Sequence, residues 1–489
     1  MSILAIDAGT TGVTALVVSK SGQIIARGYQ EFEQHFPKPG WVEHNPEQIW
    51  QSTLAAVERA LGLSDENPTA IGITNQRETA VVWNRKDLSS PTNAIVWQDR
   101  RTADLTTELE RINEGDWIRK RTGLNLDPYF TSSKFLWWQR NLPEVWQGVV
   151  DGNYALGTID SYLVARISGG ASHITDCSNA SRTQLMNLET GQWDDQLLQA
   201  FGIPKSALPT ITPSWGNLAV SDPEHFLGLS ISINGIAGDQ QAALFGQAAF
   251  DKGSSKSTYG TGAFILTNTG DEIVESSHKL LATVAWQAPD GKITYASEGS
   301  VFVAGAAVQW LRDGLKIIER SSDVEALALE AASSDGVVFV PSLTGLGAPF
   351  WNSSIRGSML GLTRGTSSSN IAYATLEAIA FQVKAVLDAM AKDFGQPIES
   401  LRVDGGAAAN NLLLQIQADV TGHDVVRAKV LESTGFGAAL LAGLGAGIFG
   451  SLTELRNLNP AERTFTPGQS RQKEYDRFIQ AVELTANWS

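Results

Sequence analysis

The sequence predicts an α/β protein of two domains, each built on a mixed sheet flanked by helices. Near the start, strand patterns with tight turns give way to alternating helix and strand patterns, which indicates a mixed sheet with helices packed on it. The chain has 489 residues, and single hydrophobic cores stop growing at roughly 250–300 residues. A strand–turn–strand pattern near the start returns after residue 257, which indicates a weak internal repeat.

The first elements are predicted from alternating apolar residues and turn residues. A hairpin signal at Ser21-Gly22 separates two early strands. A helix is expected to begin after Asn45, because Asn is a favoured cap and Pro46 suits the first helical position. Apolar runs predict strands at residues 3–6, 14–18, 23–27, 70–74, 79–83 and 93–97.

The stretch around which the chain is organised lies in the middle. An alternating apolar run enters at Leu229 and ends at Gly238, and Asp239 is followed by helix-forming residues up to Gly246. Open α/β sheets bind ligands at such strand-to-helix breaks. The residues alone leave open that Asp239 only caps the helix, since Asp is a favoured cap. The segment before this stretch is rich in tryptophan, which we interpret as packing.

The second half begins after a stretch containing Gly, Ser and Lys at residues 251–257, which we interpret as the connection between domains. We therefore predict an N-terminal domain at residues 1–249 and a C-terminal domain at residues 250–489. An amphipathic helix is predicted at residues 371–390, and a helix of small residues that could pack closely at residues 435–447.

Three loops that follow predicted strands could hold phosphate. They are Asp7-Ala-Gly-Thr-Thr-Gly12, Gly260-Thr-Gly262 and Asp404-Gly-Gly-Ala407. Glycine lets backbone amides approach an anion closely, and threonine hydroxyls add donors. None of them is a Walker loop or a dinucleotide fingerprint, and each alone reads equally as an ordinary turn. Their occurrence in two similar halves indicates a nucleotide held between related domains.

Several polar and aromatic residues could bind a second, hydroxylated substrate. Arg77 and Glu78 offer donors and acceptors that suit vicinal hydroxyls, although a surface ion pair is the commoner role of such neighbours. Trp97 and Tyr129 could form either core or pocket wall. Asp7 could cap a turn or hold Mg²⁺.

Composition excludes some classes of partner. The net charge of −15 argues against nucleic acid and anionic membranes as main partners. The single cysteine, Cys177, precludes an internal disulfide and favours a reducing compartment. No signal peptide or membrane span is expected, because charged residues and glycines interrupt the apolar windows. We predict a cytoplasmic protein.

The residues resemble the glycerol kinases of the FGGY carbohydrate kinase family over essentially the whole chain. The matching segments follow one another in order, which makes a chance similarity implausible. They are residues 36–44, 72–79, 93–98, 179–183, 236–247, 258–262, 308–313, 339–349 and 402–407.

This resemblance implies two actin-like (ribonuclease H-like) ATPase domains with a cleft between them. It implies ATP-dependent phosphorylation of glycerol, with Asp239 as the base and with Asp7 helping to place Mg²⁺. A homo-oligomer, either dimer or tetramer, is expected. The implied glycerol site consists of Arg77, Glu78, Trp97, Tyr129, Asp239, Gln240 and Phe264. The implied nucleotide site consists of Thr10, Thr11, Gly12, Thr261, Gly305, Gln309, Gly406 and Asn410.

Three positions differ from, or vary within, the family pattern, and the position of Asp239 bears on its role as a base. Many of these kinases carry Arg where Thr14 stands and Gln where Ala8 stands, so another Lys or Arg, or the metal, could compensate for the missing cation. His225 stands where some bacterial members carry a phosphorylatable histidine, and a surface-loop histidine is the favoured interpretation. Because a helix N-terminus favours an ionised carboxylate, we expect Asp239 to be a weak base that chiefly orients the hydroxyl.

The sequence leaves two alternative functions open. The first is a kinase of another small polyol or ketose, because relatives share the nucleotide loops. The second, from a different class, is an actin-like ATPase without a sugar substrate. Hydrolysis of ATP that does not depend on any polyol would favour the second.

Overall fold

The fold combines two mixed sheets with flanking helices, as predicted. The structure is a computed structural model that describes residues 1–111, 115–352, 354–398 and 400–488. The strands of the first half are β1 (Ser2–Ala8), β2 (Gly12–Ser19), β3 (Ile24–Glu31), β4 (Glu43–His44), β5 (Pro68–Asn75), β6 (Val81–Asn84), β7 (Ala94–Ile95), β8 (Tyr154–Gly157), β9 (Ile174–Asp176), β10 (Met186–Asn187), β11 (Gln192–Trp193), β12 (Thr210–Thr212), β13 (Trp215–Val220) and β14 (Ser232–Gly238). Its helices are α1 (Pro46–Gly62), α2 (Ala103–Arg111), α3 (Gly115–Thr122), α4 (Thr131–Asn141), α5 (Pro143–Val150), α6 (Ile159–Ile167), α7 (Cys177–Ala180), α8 (Asp195–Phe201) and α9 (Asp239–Gly246), with a 3₁₀ turn at Lys205–Ala207.

The second half continues with the same kinds of element. Its strands are β15 (Ser255–Tyr259), β16 (Ala263–Gly270), β17 (Leu281–Gln287), β18 (Ile293–Val301), β19 (Val338–Val340), β20 (Ser358–Leu360), β21 (Ser400–Asp404), β22 (Asp424–Ala428) and β23 (Ala461–Phe465). Its helices are α10 (Gly305–Asp313), α11 (Asp323–Leu329), α12 (Ser368–Phe394), α13 (Asn411–Thr421), α14 (Ser433–Gly445), α15 (Leu452–Leu455) and α16 (Gln472–Trp488), with a 3₁₀ turn at Gly406–Ala409.

The two sheets repeat one strand order. The first sheet is ordered β13-β14-β5-β1-β2-β3, and the second is ordered β17-β18-β16-β15-β21-β22-β23. In the first, β1 pairs antiparallel with β2 and parallel with β5, and in the second β15 pairs antiparallel with β16 and parallel with β21. The weak repeat seen in the sequence is thus a repeat of the whole sheet, and it places the two glycine-threonine turns at equivalent positions.

Local sequence accounts for the start of α1 as predicted. The Asn45 side chain accepts hydrogen bonds from the amides of Glu47 and Gln48, and Pro46 occupies the first turn. Ile49 and Val57 are fully buried on the face that packs on the first sheet. A good cap and one apolar face are sufficient to define this helix.

The two halves share a buried core around helices α9 and α14. These helices follow β14 and β22, which hold equivalent places in the two sheets, and they pack against each other. The shared core includes Leu16 of β2, Leu266 of β16 and Phe436 of α14. Although α14 belongs to the second half, it also packs on β5 and β14. The two halves therefore meet across an apolar contact.

Our proposed domain boundary lies between the sheets, because β14 ends at Gly238 and β15 begins at Ser255. The interpretation of residues 251–257 as a connection is wrong at its end. Ser255, Lys256 and Ser257 are buried in β15. A short polar run resembles a linker in the sequence. Its side chains are buried only because neighbouring strands pack against them, and the local sequence does not show this packing.

Glycine in α14 allows the two helices to approach closely, and this leads to a prediction. A Cβ added at Gly437 would lie 1.8 Å from the carbonyl oxygen of Ala242. We expect Gly437→Ala to lower the free energy of unfolding by about 3 kcal/mol, the upper range for overpacking. Gly62→Ala is the matched control, because no atom lies within 4 Å of a Cβ added there. Equal denaturation midpoints for the two variants would contradict this packing.

A helix that crosses a bilayer must be long and apolar, and no helix in the part of the chain that the structure describes meets that requirement.

Candidate active site

Parallel strand pairing brings together the two residues at the centre of the predicted site. Strands β5 and β14 are neighbours, and Asn75 lies opposite Gly238 in their register. Arg77 follows the first strand and Asp239 follows the second. Arg77 Nε therefore lies 3.1 Å from Asp239 Oδ1, although the two residues are 162 positions apart in the numbering.

Asp239 begins helix α9 and does more than cap it. Gly238 occupies the cap position, and Asp239 Oδ1 accepts a hydrogen bond of 2.7 Å from the amide of Gln240. Its side chain is 27% exposed, so a substrate can reach it. Burial raises the pKa of Asp239 although Arg77 and Lys256 lower it. The expected effect of the helix N-terminus is thus opposed by burial, which moves the pKa of Asp239 upward.

Arg77 and Glu78 are buried, which excludes the alternative of a surface ion pair. Each is 2% exposed, and their closest charged atoms are 3.9 Å apart. The Glu78 carboxylate accepts a hydrogen bond of 2.7 Å from Arg182 Nε instead. Glu78 has a φ of 60°, a conformation that costs about 1–3 kcal/mol in a residue other than glycine and that occurs mainly at functional sites.

Three aromatic rings form one wall beside this polar cluster. The ring of Trp97 lies 5.6 Å from that of Tyr129 and 6.2 Å from that of Phe264, both edge-on. Trp97 Nε1 also donates a hydrogen bond of 3.0 Å to Thr10 Oγ1. Since Phe264 comes two residues after Gly262, the wall connects the first phosphate turn to the second.

Lys134 fixes the loop that carries Tyr129. Its ammonium donates to the carbonyl oxygens of Pro128, Tyr129 and Phe130, at 3.0, 2.6 and 3.1 Å. Burial lowers its pKa to about 7, although Glu78 and other acids act in the opposite direction. Three consecutive carbonyls on one cation hold the loop in a single conformation.

Gln240 is fixed by a second buried lysine. Lys256 donates hydrogen bonds to Gln240 Oε1 and, at 2.9 Å, to Thr258 Oγ1. Its side chain is fully buried, and burial lowers its pKa to about 8. A cation of the second sheet thus supports a residue of the predicted glycerol site.

The first phosphate turn connects β1 to β2. Thr11 is exposed, whereas Gly12 is buried against β3, where a Cβ would lie 2.8 Å from the carbonyl oxygen of Gln30. The carbonyl oxygen of Thr10 accepts a hydrogen bond of 2.8 Å from Gln34. Gln34 and strand β3 therefore fix the backbone of this turn, and Thr11 remains exposed.

The second phosphate turn contacts two other glycine-containing segments of the second domain, one at Gly305 and one at Gly405. The amide of Gly305 donates to the carbonyl oxygen of Gly260 at 3.0 Å, and the carbonyl oxygen of Thr261 accepts from Ala304 at 2.9 Å. Gly405 has a φ of 84°, and a Cβ there would lie 2.5 Å from the carbonyl oxygen of Tyr259. The structure thus brings three separate segments of the second domain to one place.

The other predicted nucleotide residues lie around this turn. Gly406 is exposed, with no atom within 4 Å of an added Cβ. Gln309 is exposed on α10, one turn beyond its start. The Asn410 side chain accepts a hydrogen bond of 2.8 Å from the amide of Leu413. Asn410 therefore also has a structural role, because it caps the N-terminus of α13.

Asp7 and Asp239 are the residues that could hold Mg²⁺. Burial, together with the charges of Asp239 and Glu432, raises the pKa of Asp7 to about 8, although Arg27 acts in the opposite direction. Carboxylates that repel one another and supply hard oxygen donors fit Mg²⁺, which keeps several water or phosphate ligands. Among residues 1–111, 115–352, 354–398 and 400–488, no group of three or more His, Cys, Asp and Glu side chains is arranged to hold a metal alone.

The positions that depart from the family pattern have structural neighbours that the sequence did not indicate. Thr14 lies opposite both Asp7 and Tyr29. Arg27, two residues before Tyr29, acts electrostatically on Asp7 and lies 2.6 Å from Glu432. A cation therefore lies close to the turn despite Thr14. His225 is half-exposed and 3.3 Å from Asp222, which fits a surface-loop histidine.

Sequence reasoning missed four charged residues of the site. Arg182 lies in a segment that carried the resemblance but received no role, and Lys256 was assigned to the connection. Lys134 was not considered. Glu298 has only one signal, namely an acid within an otherwise apolar and small-residue strand.

The comparisons with known proteins agree with this architecture. Residues 2–246 match the N-terminal domain, and residues 256–446 the C-terminal domain, of the FGGY family of carbohydrate kinases. A glycerol kinase of Bdellovibrio bacteriovorus is 49% identical over 488 residues, covering 98% of each chain. One of Ralstonia pickettii is 51% identical over 481 residues, covering 98% of this chain and 96% of the relative.

Solved structures extend the agreement to the whole fold. Plasmodium falciparum glycerol kinase with ADP superposes with a TM-score of 0.93 at 36% identity, covering 99% of this chain and 98% of that one. A gluconate kinase of Lactobacillus acidophilus shares the fold at 23% identity, with a TM-score of 0.87 and coverage of 99% and 97%. The chain therefore belongs to the FGGY family of carbohydrate kinases.

Proposed function

We propose that this chain transfers the γ-phosphoryl group of ATP to a terminal hydroxyl of glycerol, giving sn-glycerol 3-phosphate and ADP. One observation carries the proposal. Arg77, Glu78 and Asp239 converge beside an aromatic wall that connects two glycine-threonine turns. This arrangement offers polar groups to a short polyol and amides and hydroxyls to phosphates. The names of the relatives at about half identity support the same substrate.

Each part has a chemical role in the proposal. Arg77 donates to glycerol hydroxyls and Glu78 accepts from them, while Trp97, Tyr129 and Phe264 contact the carbon chain. Asp239 accepts the hydrogen bond of the attacking hydroxyl and takes its proton as the new P–O bond forms. Its raised pKa makes it a stronger base than an exposed aspartate.

The phosphate groups are held between the domains. Thr10, Thr11 and Gly12 bind on one side and Thr261 on the other, while Gly305, Gln309, Gly406 and Asn410 line the nucleotide site. Mg²⁺, held by Asp7 with Asp239 nearby, would neutralise charge on the transferring group. Positioning and charge stabilisation are the main sources of catalysis in such reactions.

The test is ADP release from the purified full-length chain across a panel of glycerol, other small polyols and xylulose, with and without Mg²⁺. We expect ADP release that requires both glycerol and Mg²⁺. Release without any polyol would favour the actin-like ATPase. A higher kcat/KM for xylulose or another polyol would favour a kinase with a different substrate.

We also propose a cytoplasmic location and a homo-oligomer, either dimer or tetramer. The buried state of the single cysteine agrees with a reducing compartment. Sedimentation analysis tests the oligomer directly, and a monomer at micromolar concentration would contradict it.

A further inference from the structure

A carboxylate of the second sheet binds two arginines of the first domain at the polyol site. Glu298 lies on β18, and its Oε2 accepts a hydrogen bond of 2.5 Å from Arg77 Nη1. Its Oε1 accepts bonds of 3.0 Å from Arg77 Nη2 and from Arg182 Nη2. All three side chains are at most 2% exposed.

The bidentate pair determines which way Arg77 faces. A guanidinium bound to a carboxylate through two parallel bonds cannot rotate without breaking one of them. With both Nη atoms engaged by Glu298, the Nε of Arg77 faces Asp239 at 3.1 Å. The orientation of a predicted polyol-binding group thus depends on the other domain.

Glu298 also acts on Glu78, through Arg182. Arg182 donates from Nη2 to Glu298 and from Nε to Glu78, the latter at 2.7 Å. Its remaining Nη1 is buried without a hydrogen-bond partner. Loss of the bond to Glu298 would leave a second nitrogen of this buried cation unpaired, which is costly enough to displace it.

We propose that Glu298 is a positioning residue of the polyol site, which the C-terminal domain contributes across the cleft. It holds Arg77 directly and Glu78 through Arg182. The polyol-binding groups therefore reach their working geometry only when the two domains are together, whereas the nucleotide turns do not depend on this contact. The inference rests on the proposed function and names a residue beyond it.

The two substrates give a readout that a purely structural role would not affect. Glu298 binds Arg77 directly and reaches Glu78 through Arg182, so its hydrogen bonds go to the polyol-binding groups. Loss of these bonds should therefore weaken the binding of glycerol more than the binding of ATP.

The experiment compares Glu298→Gln with the wild-type full-length chain in steady-state kinetics. Glutamine keeps the shape but removes the charge and one acceptor. We expect KM for glycerol to rise by about tenfold or more while KM for ATP stays within about twofold.

A matched control separates positioning from stability. Glu377 is a buried glutamate of the same domain, 2.8 Å from Arg471, and contacts none of the polyol residues. Glu377→Gln should lower the melting temperature without changing KM for glycerol or KM for ATP. An unchanged KM for glycerol in Glu298→Gln, or an equal rise in both KM values, would overturn the inference.

If Glu298→Gln does not fold, the variant Glu298→Asp tests the same inference. Aspartate keeps the charge but cannot reach both guanidinium groups, so Glu298→Asp should raise KM for glycerol while leaving KM for ATP within about twofold. An unchanged KM for glycerol in that variant would also overturn the inference. Absence of glycerol-dependent ADP release by the wild type would instead contradict the proposed function, so the two failures are distinguishable.

Discussion

Replacing Asp239 by Asn is expected to lower kcat by about a thousandfold while glycerol binding stays within about threefold of the wild type. The Asn oxygen can still accept from Arg77 Nε, which lies 3.1 Å from the carboxylate. The amide cannot take a proton from the attacking hydroxyl, however. The loss should therefore appear in turnover, and calorimetric titration with glycerol in the absence of nucleotide measures the binding.

Asp160 offers a matched control for this variant. It is a buried carboxylate in the first turn of α6, which also follows a strand, and its oxygens accept from Thr158 and Thr175 at 2.5 and 2.6 Å. Asp160→Asn should leave kcat near the wild-type value, because no predicted substrate residue contacts it. Near-normal turnover in Asp239→Asn would remove Asp239 from the mechanism.

Replacing Asp7 by Asn is expected to lower kcat by about a hundredfold and to weaken the response to Mg²⁺. The metal-free carboxyl has a pKa raised to about 8 by burial and by neighbouring acids. Mg²⁺ must then displace a proton, so the apparent Mg²⁺ affinity of the wild type should fall about tenfold per pH unit below that value. The sign follows because a raised pKa means tighter proton binding.

The rise in melting temperature on adding Mg²⁺ with ADP, at pH 6, 7 and 8, measures this effect without turnover. The wild type should show a larger rise at higher pH, and Asp7→Asn should show a small rise that does not depend on pH. Asp160→Asn serves again as the control and should follow the wild type. If Asp7→Asn responds to Mg²⁺ like the wild type, another group holds the metal.

Much of the site could be predicted because its residues stand at breaks in local patterns. The strand that ends at Gly238, the cap at Asn45 and the two glycine-threonine turns are each visible in a few neighbouring residues. The resemblance to the family then implied that Arg77 and Glu78 bind glycerol. These features depend on backbone geometry and turn chemistry, which act over short stretches of chain.

The remaining part of the site could not be predicted because its residues are distant in sequence. Glu298 and Arg77 are 221 positions apart, and no periodicity relates them. The residues around Lys256 resemble a linker in the sequence, whereas in the structure neighbouring strands bury Lys256. The pKa of Asp239 was predicted from its helix alone, whereas desolvation by the surrounding domains decides its direction.

The sequence by itself therefore indicated most strands of the first sheet, the two glycine-threonine turns and the strand-to-helix break that carries Asp239. Tertiary structure alone decided which charges face one another across the cleft and how strongly water is excluded from them. The physical reason is that turn and helix preferences are local, whereas ion pairing and desolvation depend on groups that only packing brings together.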